Sequence, residues 1–196
     1  AVENYPADKY MLIMSDHGAG WPGGLSDPDP GGNGPDDLAL TEFFGDNLWL
    51  MELDNVLGQA LDNVGLDALD VIGFDACLMS QLEVYTALAP HARYAVASEE
   101  VEPGLGWAYA SFLGELVANP QMGGAELVSH IVASYIDGDV QLLNPDYVGN
   151  LTRQQAAEVM NAEVTLTAVD LAQITALNQA LDGLVAALQT MDQNAV

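Results

Sequence analysis

The stretch that most constrains the fold is LDVIGFDACLMSQLEVYTAL, Leu69 to Leu88, which joins an apolar run to an amphipathic one. Val71-Ile72-Gly73-Phe74 is short and lacks strict alternation, the pattern of a strand buried on both faces of a parallel sheet. After Cys77 the apolar residues Leu78, Leu82, Tyr85, Leu88 and Ala89 recur at helical spacing, which predicts a helix beginning at or just after the cysteine. Ligands of folds built from such strand-to-helix units collect at the C-terminal edge of the sheet. Cys77, the only cysteine in the chain, would stand at that edge and near a helix N-terminus, whose unpaired N–H groups favour a thiolate. The alternative is a buried and inert thiol.

A second stretch has the same form. Lys9-Tyr10-Met11-Leu12-Ile13-Met14-Ser15-Asp16-His17-Gly18 is an apolar run that ends in a polar, chemically competent residue followed by glycine. A Cys and a His presented from neighbouring strand ends make a nucleophile and its base, because the thiolate attacks and a free thiol is mostly protonated near neutrality. Between the two stretches Leu50, Leu53, Leu57, Ala60, Leu61 and Val64 share one helical face within 48–64, predicting a helix that links the strands as a right-handed βαβ unit. Arg93 to Ser98 reads as the next parallel strand, with Ser98, Glu99 and Glu100 at its end. Gly104 to Pro120 and Ala125 to Ile136 read as helices broken by Pro120 and Gly123-Gly124. Asn144 to Asn161 is a polar connector with part of a helix. Thr165 to Val169 alternates as a strand, and Asp170 can cap a long helix striped by Ile174, Leu177, Leu181, Leu184 and Leu188. The fold class expected is α/β, a three-layer α-β-α sandwich on a mostly parallel sheet.

Composition narrows the function. With 196 residues, 50% of them hydrophobic, the chain can bury one substantial core, so residues 1–196 are expected to form a single domain. The start at Ala1 rather than Met, with a strand within the first ten or so residues, suggests an excerpt truncated at both ends. No run of about 18 apolar residues and no basic-then-apolar leader occurs, so neither a membrane span nor a signal peptide is expected in this sequence. Three Lys and Arg stand against 29 Asp and Glu, a formal charge of −26. That excludes nucleic acid as a partner, since phosphate binding needs clustered cations. The same charge attracts cations and basic peptides, or serves simply as a solvated surface suited to high salt. A single Cys excludes an internal disulfide, and one Cys with three scattered His offers no zinc spacing. His130 reads as a core or boundary residue of a helix, and His91 as a loop residue after Pro90. Met11, Met14, Met51 and Met79 read as core filler.

Residues 21–37, WPGGLSDPDPGGNGPDD, are dense in Gly, Pro and Asp and are expected to be an irregular surface loop. Residues 31–38 match one unit of a calcium-binding nonapeptide repeat, although one copy cannot stack into a solenoid. Asp27, Asp29, Asp36 and Asp37 supply hard oxygen ligands suited to Ca²⁺; the alternative is an acidic loop with no ion.

Several blocks in order carry a resemblance. They are the His17-Gly18 and Asp75-Ala76-Cys77-Leu78-Met79 strand ends, Gly18-Ala19-Gly20-Trp21, Glu83, Ser98-Glu99-Glu100 with Pro103-Gly104 and Gly106-Trp107-Ala108-Tyr109, and Thr165-Leu166-Thr167-Ala168-Val169-Asp170-Leu171. Together they resemble the clostripain-type cysteine peptidases of the caspase-like clan, which also holds gingipains, legumains and caspases. The resemblance implies a caspase-like sheet, His17 and Cys77 as a catalytic dyad, and the backbone N–H groups of Gly18 and Cys77 as an oxyanion hole. It further implies no cofactor required for the chemistry, peptide or protein substrates bearing basic residues, and a secreted or cell-surface location. It makes Asp75 the acidic residue that selects Arg or Lys before the cut bond. Spacing agrees, since Asp75 lies two residues before Cys77 and so on the same side of a strand, about 6 to 7 Å back. The alternative is that Asp75 caps the following helix. Glu99 and Glu100 are expected to reinforce the negative pocket. Asp16 adjoins His17, but consecutive strand residues point to opposite faces, so its side chain need not touch the imidazole. The family's activation cleavage after a basic residue between His and Cys has no counterpart, because the cations are Lys9, Arg93 and Arg153. Two other readings remain open: a non-catalytic calcium-dependent binding module, and an inactive member of the same fold.

Overall fold

The computed structural model describes residues 2–27, 46–162 and 164–191. Along the chain β1 (Met11–Ser15) precedes an antiparallel pair, β2 (Gly23–Asp27) and β3 (Asp46–Trp49), which leads into α1 (Leu50–Val64). Then come β4 (Leu69–Asp75), α2 (Leu82–Leu88), β5 (Ala92–Ser98), α3 (Tyr109–Ala118), α4 (Gly124–Ser134), a 3-10 turn at Val140–Leu143, α5 (Pro145–Val148) and α6 (Arg153–Asn161). The last elements are β6 (Leu166–Asp170), a 3-10 turn at Leu171–Gln173 and α7 (Ile174–Gln189). One sheet has the order β1-β4-β5-β6, with the first three strands parallel and β6 antiparallel to β5. The mostly parallel α/β sheet expected from the apolar runs is therefore present.

Its central strands read as continuous apolar runs because both faces are covered. Ile72, Phe74 and Ala76 pack with Leu53, Leu57 and Leu61 of α1, Val84, Tyr85 and Leu88 of α2, and Ile174 of α7. Val71 and Val96 belong to the opposite core, with Phe112 of α3 and Leu127, Val128 and Ile131 of α4. Phe74, Ile72 and Phe112 are fully buried, each contributing about 1.5–3 kcal/mol of apolar burial. The alternation puts residues 71, 73 and 75 on the α3–α4 side. At Gly73 a Cβ would lie 2.8 Å from the Trp107 indole. Glycine thus lets the Trp107 indole approach the strand closely two residues before Asp75.

Local boundaries differ from the sequence reading in four places. The helix after Cys77 begins only at Leu82; Leu78 takes a left-handed φ of 66°, and its N–H bonds Glu100 O while Ser80 N–H bonds Ser98 O. That segment spends its backbone groups on the end of β5, so the periodicity at Leu78 belongs to a turn. Second, α1 starts at Leu50 rather than Leu48, with the Glu52 carboxylate accepting from Trp49 N–H at 3.0 Å. Third, 23–27, placed in an irregular loop, is a strand. Fourth, the helix read over 104–120 begins only at Tyr109, after a turn in which Gly106 N–H bonds Pro103 O. His91 lies in the turn before β5, as expected, and is buried there, its Nε2 2.6 Å from Asp54 Oδ1.

Leu171–Gln189 is, among the described residues, the one helical stretch long and apolar enough to cross a membrane by composition. Its start is nonetheless built into the α/β core. Leu171 and Ile174 are buried, and Asn178 Nδ2 donates to Thr86 Oγ1 of α2 at 3.0 Å. Asp170 Oδ1 accepts from Ala172 N–H at 3.1 Å and so caps the 3-10 turn that leads into α7 rather than α7 itself.

Candidate active site

Strands β1 and β4 pair in register, Ser15 opposite Asp75, so both chains leave the sheet at the same edge. The Asp16 N–H extends the ladder by one bond to Asp75 O at 3.3 Å. A cleft of about 410 Å³ opens there, lined by Ser15, Asp16 and His17 from the first loop, Asp75, Ala76 and Cys77 from the second, and the 101–106 segment after β5. The structure thus brings His17, Asp75 and Cys77 to one cleft.

The loop carrying His17 is held by its neighbours rather than by its own conformation. Leu25 N–H of β2 donates to His17 O at 2.7 Å, Ala19 N–H donates to Gly23 O at 2.9 Å, and Gly18 bridges Gly24. The Asp16 carboxylate accepts from the His17 backbone N–H at 2.6 Å. The two loops touch at Gly18, where a Cβ would stand 2.0 Å from Cys77 O. Among the described residues neither the Gly18 nor the Cys77 N–H is engaged in a hydrogen bond. Cys77 is half-buried, and Glu102 N–H points at its sulfur at 3.3 Å. Because α2 starts beyond it, Cys77 does not sit at a helix N-terminus. The fixed N–H aimed at Sγ is that of Glu102, a contact that negative charge on sulfur strengthens.

Asp75 is 7% exposed. Its Oδ2 accepts from Trp107 N–H at 3.2 Å and from Tyr109 Oη–H at 2.8 Å, so it serves the loop after β5 and does not cap α2. Beside it lies Glu102, which sequence reasoning missed. Its Oε1 accepts from Trp107 Nε1–H at 3.3 Å, while its buried Oε2 has no partner among the described residues. Burial pushes the Glu102 carboxyl up to about 8 against the opposing Trp107 bond, and Asp75 adds to the rise by its charge and by the hydrogen bond it can accept from the protonated carboxyl. Burial, reinforced by Asp75 and Glu102, likewise raises the Tyr109 hydroxyl. The Tyr135 hydroxyl, buried and unpartnered among the described residues, is raised by burial and then by the charges of Glu102, Asp75 and Cys77. The chain's cations lie elsewhere. Lys9 Nζ donates to Gln121 O and Met122 O, Arg153 to Asp137 O, and Arg93 is an exposed residue of β5.

Glu99 and Glu100 are exposed and do not line this cleft. The chain turns at Glu100, whose O accepts from Leu78 N–H and whose N–H donates to Thr165 Oγ1 at 2.9 Å. Glu99 instead acts on Tyr85, a hydroxyl pushed up to about 12 by burial and then, against a Ser80 bond, by that charge. The chain re-enters the cleft at Val101 and Glu102, and Gly106 N–H closes a turn on Pro103 O at 3.2 Å. The signal available in the sequence was a carboxylate directly before Pro103-Gly104. Of the four aspartates considered for calcium, Asp27 ends β2 and Asp29, Asp36 and Asp37 lie outside the described residues. Among the described residues no group of three or more His, Cys, Asp or Glu could hold a metal ion.

The model of the clostripain family matches residues 1–196. Among solved structures the chain is similar to a secreted C11 cysteine protease from Bacteroides thetaiotaomicron in complex with an irreversible peptide inhibitor, with TM-score 0.59 and 22% identity over 92% of this chain and 44% of that one. It is also similar to an inactive zymogen C11 protease from Parabacteroides distasonis, with TM-score 0.53 and 20% identity over 90% of this chain and 38% of that one. Likenesses at these identities show a shared fold. The chain spans less than half the length of these solved structures. A search of curated proteins finds no significant match.

Proposed function

The chain belongs to the clostripain family, and on that premise we propose that it is a cysteine endopeptidase that cuts peptide bonds after Arg or Lys with a Cys77–His17 dyad. Sγ of Cys77 attacks the scissile carbonyl carbon as His17 takes the thiol proton, and the carbonyl π pair moves onto oxygen. The Gly18 and Cys77 N–H groups, which make no hydrogen bond among the described residues, receive that oxyanion. Collapse breaks the C–N bond, and His17 returns the proton to the leaving amine. Water then hydrolyses the thioester by the same route. No metal is needed for any of these steps. The secreted relative supports an extracellular setting for such an enzyme.

The observation that carries the specificity is the carboxylate pair Asp75 and Glu102 beside Cys77, in a cleft that no Lys or Arg lines. An arginine side chain entering it would meet an oxygen of Asp75 and the unpartnered Oε2 of Glu102, giving charge-assisted contacts that an apolar side chain cannot replace. An apolar side chain would offer the Glu102 Oε2 no donor of its own.

A panel of fluorogenic peptides differing only at the residue before the cut tests this. Asp75→Asn and Glu102→Gln should each depress hydrolysis after Arg and Lys selectively, by about 2–4 kcal/mol or roughly 30- to 1000-fold. Equal loss for all substrates would make both residues structural. Cys77→Ala should abolish hydrolysis and labelling by a thiol-reactive peptide ketone with unfolding unchanged, and His17→Ala should cost about 10²–10⁴ in rate. A binding module would show neither hydrolysis nor labelling in the unmodified chain.

A further inference from the structure

We propose that the Asp75–Glu102 pocket exchanges a proton for a cation: empty, it holds a proton on Glu102, and a basic side chain that enters releases this proton to water, so that pH sets the preference for Arg over an uncharged side chain of the same shape. The inference rests on the reading of this cleft as the pocket for the residue before the cut bond.

The geometry leads there before any titration is considered. Asp75 and Glu102 both line the cleft, with no Lys or Arg among its lining residues. Like charges that share a partly buried cleft repel one another, which disfavours ionising both carboxyl groups at once. One proton relieves that repulsion, and its place is Glu102. Asp75 Oδ2 already accepts two hydrogen bonds. Glu102 accepts a single bond of 3.3 Å, and its Oε2 accepts none among the described residues. A proton on that oxygen gives it a partner, the Asp75 carboxylate.

The other titratable groups around Glu102 cannot take over this role. Asp16 and His17 come from the loop after β1, Cys77 from the loop after β4, Tyr109 from α3 and Tyr135 from the end of α4. Both tyrosine hydroxyls are raised, so they stay neutral through the working range. The Cys77–His17 pair acts on every substrate alike and cancels in a ratio of two substrates.

The sign follows by linkage. With the Glu102 carboxyl pushed up to about 8, the empty pocket is protonated below that pH, and a guanidinium binds the ionised form. Apparent affinity for Arg therefore falls as pH drops below about 8, by up to about tenfold per unit, and levels above it. Citrulline has the shape of arginine without the charge and has no need to displace the proton.

The test is the ratio of kcat/KM for matched peptides carrying Arg or citrulline before the cut, measured from about pH 6 to about pH 9. The ratio should climb up to about tenfold per unit and flatten near about pH 8, and Glu102→Gln should make it independent of pH. Calorimetry on the Cys77→Ala chain, in buffers of different ionisation heat, should find close to one proton released per Arg peptide bound near neutral pH and none with citrulline. Equal cleavage after Arg and citrulline at every pH would overturn the basic-pocket reading, and this inference with it. A constant preference for Arg with no proton release would overturn the exchange alone.

Discussion

Gly18 is the residue at which the two proposed catalytic loops meet. A side chain there would begin 2.0 Å from the Cys77 carbonyl oxygen and 3.0 Å from its carbonyl carbon, and backbone cannot yield as a flexible side chain can. Gly18→Ala is therefore expected to push the His17 loop away from Cys77. Displacement by about 1 Å at a reacting pair costs on the order of 10²-fold, so kcat/KM should fall by at least that much, while the melting temperature, set mainly by the cores on the two sheet faces, moves little. Steady-state kinetics beside a thermal melt checks it; an active Gly18→Ala chain would mean the loops do not need this contact. At this scale His17, Asp75 and Cys77 were legible because each is a reactive side chain at the end of an apolar run, and strand ends in register reach one edge. Glu102 was not. Its place in the cleft depends on the chain turning back after Glu100, whereas nearness in sequence pointed to Glu99 and Glu100, which do not line it.

Elements were legible where one pattern had one structural solution. Val71-Ile72-Gly73-Phe74 could be buried on both faces only inside a covered sheet, and it is. The stretch after Cys77 was harder, because apolar spacing cannot reveal a left-handed residue, and Leu78 adopts one. In α7 the stripe of Ile174, Leu177, Leu181, Leu184 and Leu188 gave the helix correctly but not what lies against it. Ile174 is 4% exposed, whereas Leu184 is 54% exposed. The two ends of the stripe should therefore respond differently to truncation. Ile174→Ala leaves a cavity among α2, β5 and the 3-10 turn and should cost about 2–5 kcal/mol. Leu184→Ala removes half-solvated surface and should cost less than about 1 kcal/mol. Denaturant unfolding of the two variants measures both, and equal losses would mean that the exposed half of α7 is covered in solution.

Charge belongs to the whole molecule. A formal charge of −26 with only three Lys and Arg leaves most carboxylates without an ionic partner, and their mutual repulsion opposes the compact state. Salt shortens the range of that repulsion from about 10 Å at 0.1 M to about 3 Å at 1 M. The melting temperature should therefore rise with added sodium chloride, most steeply at the low end. The same screening weakens long-range attraction of basic peptides. Their kcat/KM should fall over that range by up to about tenfold, in proportion to the peptide's total positive charge. Preference for Arg over citrulline before the cut should persist at high salt, because the Asp75–Glu102 contact is buried and screened far less than surface charge. Measuring both substrates across the salt series separates the two sources of selectivity. If the Arg preference decays in step with overall kcat/KM, the surface field is choosing the substrate and the pocket is not.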